Sequence, residues 1–381
     1  MRPLILLLLF FTTFFVFAQD SITEKRAIWV VRDALEDSAG LAKIIQTAAS
    51  ADISNIYVQV RALGRCYYLS DIEPRATFIS TEYDPLDRLI KLAERYNIHI
   101  HAWVNMFYCW SGDLRPAEAG HVFNRFPQYI LAKEKQPDYN LLKKTGIEGY
   151  FLDPQSVEIQ KYLLNVLLEI ADKYTISGIH LDYFRYPDVE YSFTADSRTN
   201  FRLAHFIDPL KLYRDPENFV NGYGYAVFQQ ADKEYRQFLQ EALSGYLAEI
   251  NSKLKEKKSG LELTVAVKPD PVAAKFRYFQ DWQNWIGKRL CDYVVLMNYR
   301  TEWSEFTAVL NQLKDAPDRD KIIMGISTYN QNEEAVQQRL KAVRQAGYAG
   351  FALFSYNHLA DHQDYFYKLQ LLDFRGDKNG F

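Results

Sequence analysis

The chain has 381 residues, of which 48% are hydrophobic and 24% are charged, and its formal net charge at pH 7 is −3. This composition excludes a disordered or low-complexity chain, and the small negative charge argues against nucleic acid as a partner. The three cysteines are too few and too scattered for a disulfide framework or a four-thiolate zinc site.

The N-terminus has the pattern of a secretory signal. Residues 4–17 are almost wholly apolar, Arg2 precedes them and Ala18 follows them. This order of a charged residue, an apolar run and a small residue predicts a signal peptide over residues 1–18. The run is shorter than the ~20 residues that a spanning helix needs, although an uncleaved anchor is the alternative. We therefore expect residues 19–381 to be exported to the periplasm or the extracellular space, with no membrane span after signal removal.

Short apolar runs rich in Val, Ile and Tyr recur along the chain, which is typical of strands buried on both faces of a parallel sheet. The segments between them have apolar residues at helical spacing. Asp84-Pro85 and Asp153-Pro154 are typical helix starts, with an Asp cap before a Pro, and Asn332 is a further candidate cap. The predicted strands are 26–32, 55–61, 98–105, 178–183, 262–268, 292–299, 321–327 and 349–355, and the predicted helices are 38–51, 85–97, 154–174, 233–257, 333–346 and 364–374.

Eight strands that alternate with helices predict an α/β fold, a single (β/α)8 TIM barrel over residues 19–381. A doubly wound sheet is the rival fold, but the chain has no Gly-rich fingerprint. The extra length lies in the connections after strands 3, 4, 5 and 6, at 106–151, 184–231, 269–289 and 300–320. These long βα loops are expected to build a cleft on the face where barrel enzymes have their active sites.

Asp182 is the most informative residue in this pattern. It lies at the end of the fourth predicted strand, where alternation places Gly178, His180 and Asp182 on one face. We expect Asp182 to face the barrel axis at its mouth. A carboxylate in that position can act as the nucleophile or general base of a glycosidase. The alternative is a structural ion pair with Arg185 or Arg61.

A two-carboxylate glycosidase needs a second carboxyl group. Asp270, after the fifth strand, and Glu302, after the sixth, are the candidates for the general acid. Asp281 and Asp33 are weaker candidates, and Asp281 is also a candidate helix cap. The sequence does not identify which of these residues is the second carboxyl group, because that depends on the distance of each from Asp182 in the folded protein.

Polar and aromatic residues replace aliphatic ones at nearly every strand end, as a polyhydroxylated ligand would require. We expect Trp103 and Tyr186 to stack on sugar rings. A tyrosine-rich stretch is either a stacking platform or a packed loop, and its members are Tyr183, Tyr186, Tyr191, Tyr213, Tyr223 and Tyr225. The residues expected to bind hydroxyl groups or to tune the charge of the site are Gln59, Arg61, Asn105, Arg185, Lys268, Tyr299 and Tyr356.

Three histidines give an alternative interpretation. His99, His101 and His180 would face inward together with Asp182, as in a metal-dependent hydrolase or deacetylase. No Asp or Glu completes an obvious zinc motif, so histidines hydrogen-bonded inside the barrel are the simpler interpretation. No metal and no cofactor are therefore expected.

Six motifs stand out between roughly residues 25 and 374: RAIWV at 26–30, VQVRALG at 58–64, YDPL at 83–86, HAWVN at 101–105, GIHLDYFRYP at 178–187 and QDW at 280–282. Together they resemble the glycosyl-hydrolase-like ten family of exported bacterial barrel proteins. Many members of that family carry a second Asp after the position of Asp182, where this chain has Tyr183.

The resemblance implies a (β/α)8 glycoside hydrolase of the bacterial envelope, in which Asp182 matches the acidic residue of strand 4. A characterised relative is associated with the divisome and cuts peptidoglycan glycan strands that lack their peptides. We therefore expect an exported hydrolase of O-glycosidic bonds that acts on a polysaccharide or glycan. A non-catalytic glycan-binding protein on the same scaffold is the second interpretation, and the sequence makes no prediction of oligomeric state.

Overall fold

Residues 24–80, 82–131 and 148–371 are described by the structure, which is a computed structural model. The predicted signal peptide at 1–18 and the last residues of the final predicted helix, 372–374, lie outside the described residues.

Eight parallel strands close into a barrel, as the sequence predicts. The first strand pairs with both of its neighbours, so that Ala27 lies opposite Asn55 on one side and Ala352 on the other. The barrel strands are β1 Lys25–Val30, β2 Asn55–Ala62, β3 His99–Asn105, β4 Gly178–Asp182, β5 Glu262–Val267, β6 Tyr293–Met297, β7 Ile322–Ser327 and β8 Gly350–Phe354.

Alternation along the strands divides the buried side chains into two layers. On β4, His180 points into the barrel, where its Nε2 accepts a hydrogen bond from the Trp29 indole at 3.0 Å. Ile179 and Leu181 belong instead to the apolar layer between the strands and the helices. Asp182 lies two residues after His180 and therefore faces the barrel axis at its mouth.

Helix starts follow the capping rules at one of the two predicted Asp-Pro pairs. Asp84 caps its helix by accepting a hydrogen bond from the backbone N–H of Leu86 at 3.1 Å. The prediction at Asp153 was wrong, because that helix begins at Val157 and Ser156 is its cap. Polar caps of this kind satisfy backbone N–H groups that have no partner within the helix.

Helices surround the barrel and fill most of the connections. Asn332 is the cap that the sequence predicts, since its Oδ1 accepts from the backbone N–H of Ala335 at 2.9 Å. The α-helices are Ser38–Ser50, Pro85–Glu94, Val122–Arg125, Val157–Lys173, Ala195–His205, Pro209–Arg214, Pro216–Tyr223, Tyr225–Lys257, Pro271–Arg277, Trp282–Gly287, Trp303–Gln312, Glu333–Gln345, Tyr356–Asp361 and Gln363–Leu371. Short 3-10 helices are Arg32–Leu35, Pro127–Tyr129, Val189–Tyr191 and Arg319–Lys321.

The connections after β3 and β4 build most of the structure above the barrel mouth. After β3, the short strands Tyr108–Trp110 and Tyr150–Phe151 pair in antiparallel fashion. After β4, a run of short helices leads into the long helix Tyr225–Lys257, which returns the chain to the start of β5. The connections after β5 and β6 are occupied largely by helices that cover the barrel.

The three cysteines form no disulfide framework, since Cys66, Cys109 and Cys291 are all buried free thiols.

Across the ranges that the structure describes, no helix combines the length and the apolar character that crossing a membrane requires.

Candidate active site

A cavity of about 470 Å³ opens where the barrel strands end. Its lining comes from the ends of all barrel strands except β7, and from the connections that follow β1 to β6. The lining residues are Trp29, Val31, Arg32, Gln59, Leu63, Trp103, Asn105, Tyr108, Ser111, Glu148, Asp182, Tyr183, Arg185, Ala266, Lys268, Met297, Tyr299 and Phe354.

Asp182 ends β4 within this cavity and is only 8% exposed. Its Oδ2 accepts a hydrogen bond from the indole N–H of Trp103 at 3.1 Å, and its Oδ1 accepts one from the backbone N–H of Tyr183 at 2.6 Å. Burial raises the pKa of the Asp182 carboxyl, although these two donors and the nearby Arg185 oppose the rise. The carboxyl group is held in one orientation and is easier to protonate than an exposed aspartic acid.

The backbone turns sharply directly after Asp182. Tyr183 has φ +50°, in the left-handed region that non-glycine residues rarely adopt. Its ring stacks on Tyr108, with centroids 4.5 Å apart, and this contact helps to hold the turn. The turn directs the Tyr183 N–H back to the Asp182 carboxyl, so the strained residue also orients the acid.

Glu148, from the connection after β3, brings a second carboxyl group to the same cavity. Both of its oxygens accept hydrogen bonds from Nη2 of Arg185, at 2.9 and 3.2 Å. Arg185 is 4% exposed, and its guanidinium lies over the rings of Tyr183 and Tyr278 at 5.0 and 5.3 Å. The charge of Glu148 adds to the raised pKa of Asp182, so the two carboxyl groups interact across the cavity.

A chain of polar side chains lines the side of the cavity next to β1, β2 and β3. Arg32 Nη1 donates to Oε1 of Gln59 at 2.9 Å, and Gln59 Nε2 donates to Oδ1 of Asn105 at 3.4 Å. Gln59 and Asn105 are buried, whereas Arg32 is half-buried. These groups present amide and guanidinium donors in fixed positions, which suits recognition of sugar hydroxyl groups.

Lys268 adds positive charge on the β5 side of the cavity. Its Nζ lies 5.0 Å from the centre of the Tyr278 ring, and no ion pair of Lys268 is found among the described residues. Burial, with the neighbouring charge of Arg185, lowers the pKa of the Lys268 ammonium group. The group is therefore a half-buried cation with unused hydrogen-bonding capacity.

Aromatic rings cover the apolar part of the cavity. Tyr299 stacks on Phe354 with centroids 5.3 Å apart, and Trp29 meets both rings edge to face at 6.3 and 5.8 Å. Flat aromatic faces next to polar groups are the two kinds of surface that a sugar ring contacts.

The inward histidines lie below this cavity and take part in structural hydrogen bonds. His180 Nδ1 contacts Thr264 Oγ1 at 2.8 Å, and His101 Nε2 contacts Asn55 Oδ1 at 3.1 Å. Burial lowers the pKa of His101 to about 3. His101 is in register with Gly178, four residues before Asp182 on the neighbouring strand and therefore roughly 13 Å away along it.

The metal-dependent alternative is not supported by this geometry. His99 lies at the exposed start of β3, opposite the barrel mouth where Asp182 lies. In the described part of the chain, no group of three or more His, Cys, Asp or Glu side chains is placed to hold a metal ion.

Comparison with known proteins decides the family. The model of the family Glycosyl hydrolase-like 10 matches residues 24–341. The chain belongs to the Glycosyl hydrolase-like 10 family. The protein named glycosyl hydrolase DigH from Escherichia coli K12 is 21% identical over 309 residues, which cover 74% of this chain and 63% of that protein. This Glycosyl hydrolase-like 10 chain thus spans just under two thirds of the length of the relative it matches.

A second curated protein and two solved structures are also similar to this chain. Glycosyl hydrolase YngK from Bacillus subtilis is 20% identical over 184 residues, covering 43% of this chain and 34% of YngK. The glycoside hydrolase domain of PgaB (BpsB) from Bordetella bronchiseptica superposes with a TM-score of 0.71 at 11% identity, covering 91% of this chain and 98% of that domain. α-L-Fucosidase isoenzyme 2 from Paenibacillus thiaminolyticus superposes with a TM-score of 0.60 at 10% identity, and the match covers 92% of this chain and 48% of the fucosidase chain. At these identities the structural matches establish the fold.

The structure brings most of the predicted site residues of this Glycosyl hydrolase-like 10 chain to one cavity. Trp103 and Asp182 touch each other there, and polar residues from several strands surround them. The predicted residues that line the cavity are Gln59, Trp103, Asn105, Asp182, Arg185, Lys268 and Tyr299.

Arg61 does not line the cavity, contrary to the prediction that it binds substrate. It is fully buried and makes three hydrogen bonds of 2.7–2.9 Å to the Glu73 carboxylate. A β-bulge explains the difference, because Gln59 pairs with Trp103 while Arg61 pairs with Val104. The extra residue rotates Arg61 away from the face that Gln59 occupies.

Tyr186 and Tyr356 also lie outside the cavity lining. Tyr186 is fully buried and packs edge to face against Phe279 at 5.4 Å, beyond the turn at Tyr183 that ends the alternation of β4. Tyr356 is 4% exposed and begins the helix that follows β8. Neither ring is placed to stack on a ligand in this cavity.

The structure does not bring Asp270 or Glu302 into the cavity lining. Asp270 is the cap of helix Pro271–Arg277, and its Oδ1 accepts from the backbone N–H of Ala273 at 2.8 Å. Glu302 is exposed at the start of the next barrel helix. The Asp270-Pro271 pair is the same cap signal that identifies Asp84, so the sequence contained an indication of this role.

The two weaker candidates lie elsewhere as well. Asp281 pairs with Lys275 at 3.0 Å, and Asp33 is 70% exposed beside Arg32. Glu148 is the carboxyl group that the sequence analysis missed. It lies 43 residues after Asn105, the end of the preceding barrel strand, and no motif marks it. Other polar or aromatic lining residues that were not assigned a role are Trp29, Arg32, Tyr108, Ser111 and Phe354.

Proposed function

We propose that this chain is a glycoside hydrolase that cleaves O-glycosidic bonds in a glycan by two-carboxylate chemistry. The observation that carries the proposal is the pair Asp182 and Glu148, which line one cavity at the mouth of the barrel. Membership of the Glycosyl hydrolase-like 10 family supports the same reaction class. Fold alone does not establish activity, which depends on the side chains of the site.

The two carboxyl groups have environments that favour different roles. Burial raises the pKa of Asp182, which suits a general acid that must hold a proton near neutral pH. Glu148 accepts hydrogen bonds from the guanidinium of Arg185, which fixes its carboxyl group in the cavity as a base or nucleophile would require. This assignment gives Asp182 the acid role, whereas the sequence pattern favoured nucleophile or base.

In this scheme Asp182 donates its proton to the glycosidic oxygen as the bond between that oxygen and the anomeric carbon breaks. Glu148 then has two options. It takes a proton from a water molecule that attacks the anomeric carbon, or it attacks that carbon itself and forms a glycosyl ester that water hydrolyses. Carboxyl groups ~5–5.5 Å apart give retention and those ~6.5–9.5 Å apart give inversion, so the anomer of the first product distinguishes the options.

The charge of the cavity favours a glycan that carries carboxylate groups. Arg32, Arg185 and Lys268 all line it, and Lys268 has no ion-pair partner in the described residues. Peptidoglycan strands without peptides carry a free lactyl carboxylate on alternate sugars, and an ammonium or guanidinium group is a strong partner for such a group. We therefore propose peptide-free peptidoglycan strands as the substrate, in line with the resemblance noted from the sequence.

The test uses the purified full chain with intact sacculi and with peptide-stripped glycan strands, and mass spectrometry identifies the products. We expect shorter strands from the wild type and none from Asp182→Asn or Glu148→Gln. Glu305→Gln, an exposed residue on helix Trp303–Gln312, is the matched control and should retain cleavage. Cleavage by Asp182→Asn at the wild-type rate would overturn the proposal.

Two observations favour the second candidate, a non-catalytic glycan-binding protein. Glu148 is already held by Arg185, and the residue after Asp182 is a tyrosine rather than a second aspartate. Under this alternative, wild type and Asp182→Asn bind the stripped strands equally and neither shortens them.

We also propose that the protein is exported and that residues 1–18 are its signal peptide, followed by one barrel domain. The apolar run in the sequence supports export. N-terminal sequencing of protein from the periplasmic and extracellular fractions tests this, and a mature protein that starts at Met1 in the cytoplasmic fraction would contradict it.

A further inference from the structure

Two exposed tyrosines flank a helix junction in the connection after β4. Tyr223 ends helix Pro216–Tyr223 and Tyr225 begins helix Tyr225–Lys257. Each of these residues is 62% exposed, although most of the other tyrosines in this connection are packed. Gly224 between them has φ +88°, which permits the sharp turn that sets both rings on the outside.

Each of these rings is supported from behind by a phenylalanine. Tyr225 lies nearly parallel to Phe228, with centroids 6.3 Å apart and planes at 19°. Tyr223 contacts Phe219 at 4.8 Å, and Phe219 contacts Phe228 at 6.2 Å. Phe219 is 5% exposed and joins the small apolar core of this connection. The supporting rings limit the motion of the tyrosines and leave their outer faces in solvent.

The long helix places this surface well above the barrel mouth. Tyr246 on the same helix packs against Phe184 at 5.9 Å, and Phe184 lies two residues after Asp182. The helix runs down from Tyr225 toward the start of β5. Tyr225 precedes Tyr246 by 21 residues. An α-helix of that length is roughly 30 Å long, at about 1.5 Å per residue. The tyrosines therefore project on the side where the cavity opens.

We propose that Tyr223 and Tyr225 form a distal glycan-binding site, the tyrosine platform, that holds sugar rings of a long chain far from the bond being cleaved. The inference rests on the proposed function. A polymer bound across Asp182 must leave the cavity on the open side, and the platform is an exposed aromatic surface at the start of the long helix that projects there. Flat rings with free faces and hydroxyl groups suit stacking on sugars. A protein interface is the other use of exposed aromatic side chains and is an outcome of the test below.

The test compares wild type with Tyr223→Ala/Tyr225→Ala on peptide-stripped glycan strands fractionated by length. We expect KM for the longest strands to rise about tenfold, from the loss of two stacking contacts, while kcat stays the same. The shortest fragments that the wild type cleaves should be cleaved equally by both proteins, because they do not reach the platform. Unchanged kinetics on long strands would overturn the inference.

Tyr96→Ala is the matched control. Tyr96 is 50% exposed and lies between helix Pro85–Glu94 and β3, at the end of the barrel opposite the cavity. We expect it to behave as wild type. A rise in KM shared by Tyr96→Ala, or a change in oligomeric state of the double variant by light scattering, would also overturn the inference.

Binding separates failure of this inference from failure of the proposed function. If the wild type binds the stripped strands but cleaves none, the proposed function fails, and co-sedimentation then tests the platform. Weaker retention of long strands by the double variant supports it, and equal retention overturns it. If the wild type neither binds nor cleaves these strands, both are overturned.

Discussion

The indole N–H of Trp103 donates to Oδ2 of Asp182 over 3.1 Å, and the two side chains reach each other from neighbouring strands of the barrel. A donor of this kind stabilises the ionised carboxylate and so opposes the rise in pKa that burial causes. The contact therefore tunes the group to which the proposed mechanism assigns the proton.

Replacing Trp103 by Phe removes this donor and should raise the pKa of Asp182 further. An acid must be protonated to act, so the alkaline limb of the kcat/KM profile should move to higher pH, by roughly one unit. The pH–rate profile of Trp103→Phe on stripped strands measures this. A shift of the acidic limb instead would identify Asp182 as a base. An unshifted profile would show that the protonation of Asp182 does not control the rate.

The ammonium group of Lys268 should decide preference for anionic glycans. Lys268→Gln is expected to lower kcat/KM on strands with free carboxylates by roughly 10- to 100-fold, the effect of losing a charge-assisted hydrogen bond. Lys268→Arg should retain most of the activity. Strands whose carboxylates have been converted to amides are the control, and an equal loss on both substrates would contradict the charge argument.

His180 should make the folded state sensitive to acid. Burial lowers the pKa of His180 in the folded state, whereas an unfolded histidine titrates near pH 6.5. Below that pH the unfolded state binds one more proton, so the free energy of unfolding falls as the pH falls, by about 1.4 kcal/mol per unit. Buried Asp182 and Asp153 have raised pKa values and act in the opposite sense.

The comparison with His180→Gln isolates the histidine, because the aspartates contribute to both proteins. Urea unfolding between pH 7 and pH 5 should give a shallower slope for the variant, by one proton. Gln can still accept from Trp29 and donate to Thr264, the two partners of His180. Parallel stability curves for the two proteins would show that His180 is not the residue responsible.

Glu73 is expected to matter for stability and not for catalysis. Its carboxylate holds the fully buried guanidinium of Arg61 and also accepts from the Tyr162 hydroxyl at 2.7 Å. Glu73→Gln leaves Arg61 without a countercharge and should cost about 3–5 kcal/mol of unfolding free energy. Chemical denaturation measures the loss. An unchanged stability with a raised KM would return Arg61 to the list of substrate-binding residues.

The barrel and the position of Asp182 could be predicted because both follow from regular patterns of side chains along the strands. Strands buried on both faces give continuous apolar runs, and alternation along β4 separates His180 and Asp182 from Ile179 and Leu181. Both patterns depend only on residues that are close together in the sequence. The capping rule is equally local: it identifies Asp84 and would have identified Asp270 as a helix cap, although it was wrong at Asp153.

The rest of the site depends on departures from regular geometry. A bulge in β2 removes Arg61 from the face of Gln59, and the turn at Tyr183 removes Tyr186 from the face of Asp182. Neither departure has a signature in the sequence, since Gly is absent from both positions. Glu148 comes from a long connection, where contacts between distant segments decide the placement.

The most direct test of the central claim is hydrolysis of stripped glycan strands in water enriched in ¹⁸O, with wild type, Asp182→Asn and Glu148→Gln compared by mass spectrometry. The account predicts that the wild type produces new reducing ends that each carry one heavy oxygen atom. It also predicts that each variant produces them at least about 100-fold more slowly. Undiminished ¹⁸O incorporation by Asp182→Asn, or new chain ends without ¹⁸O from the wild type, would contradict it.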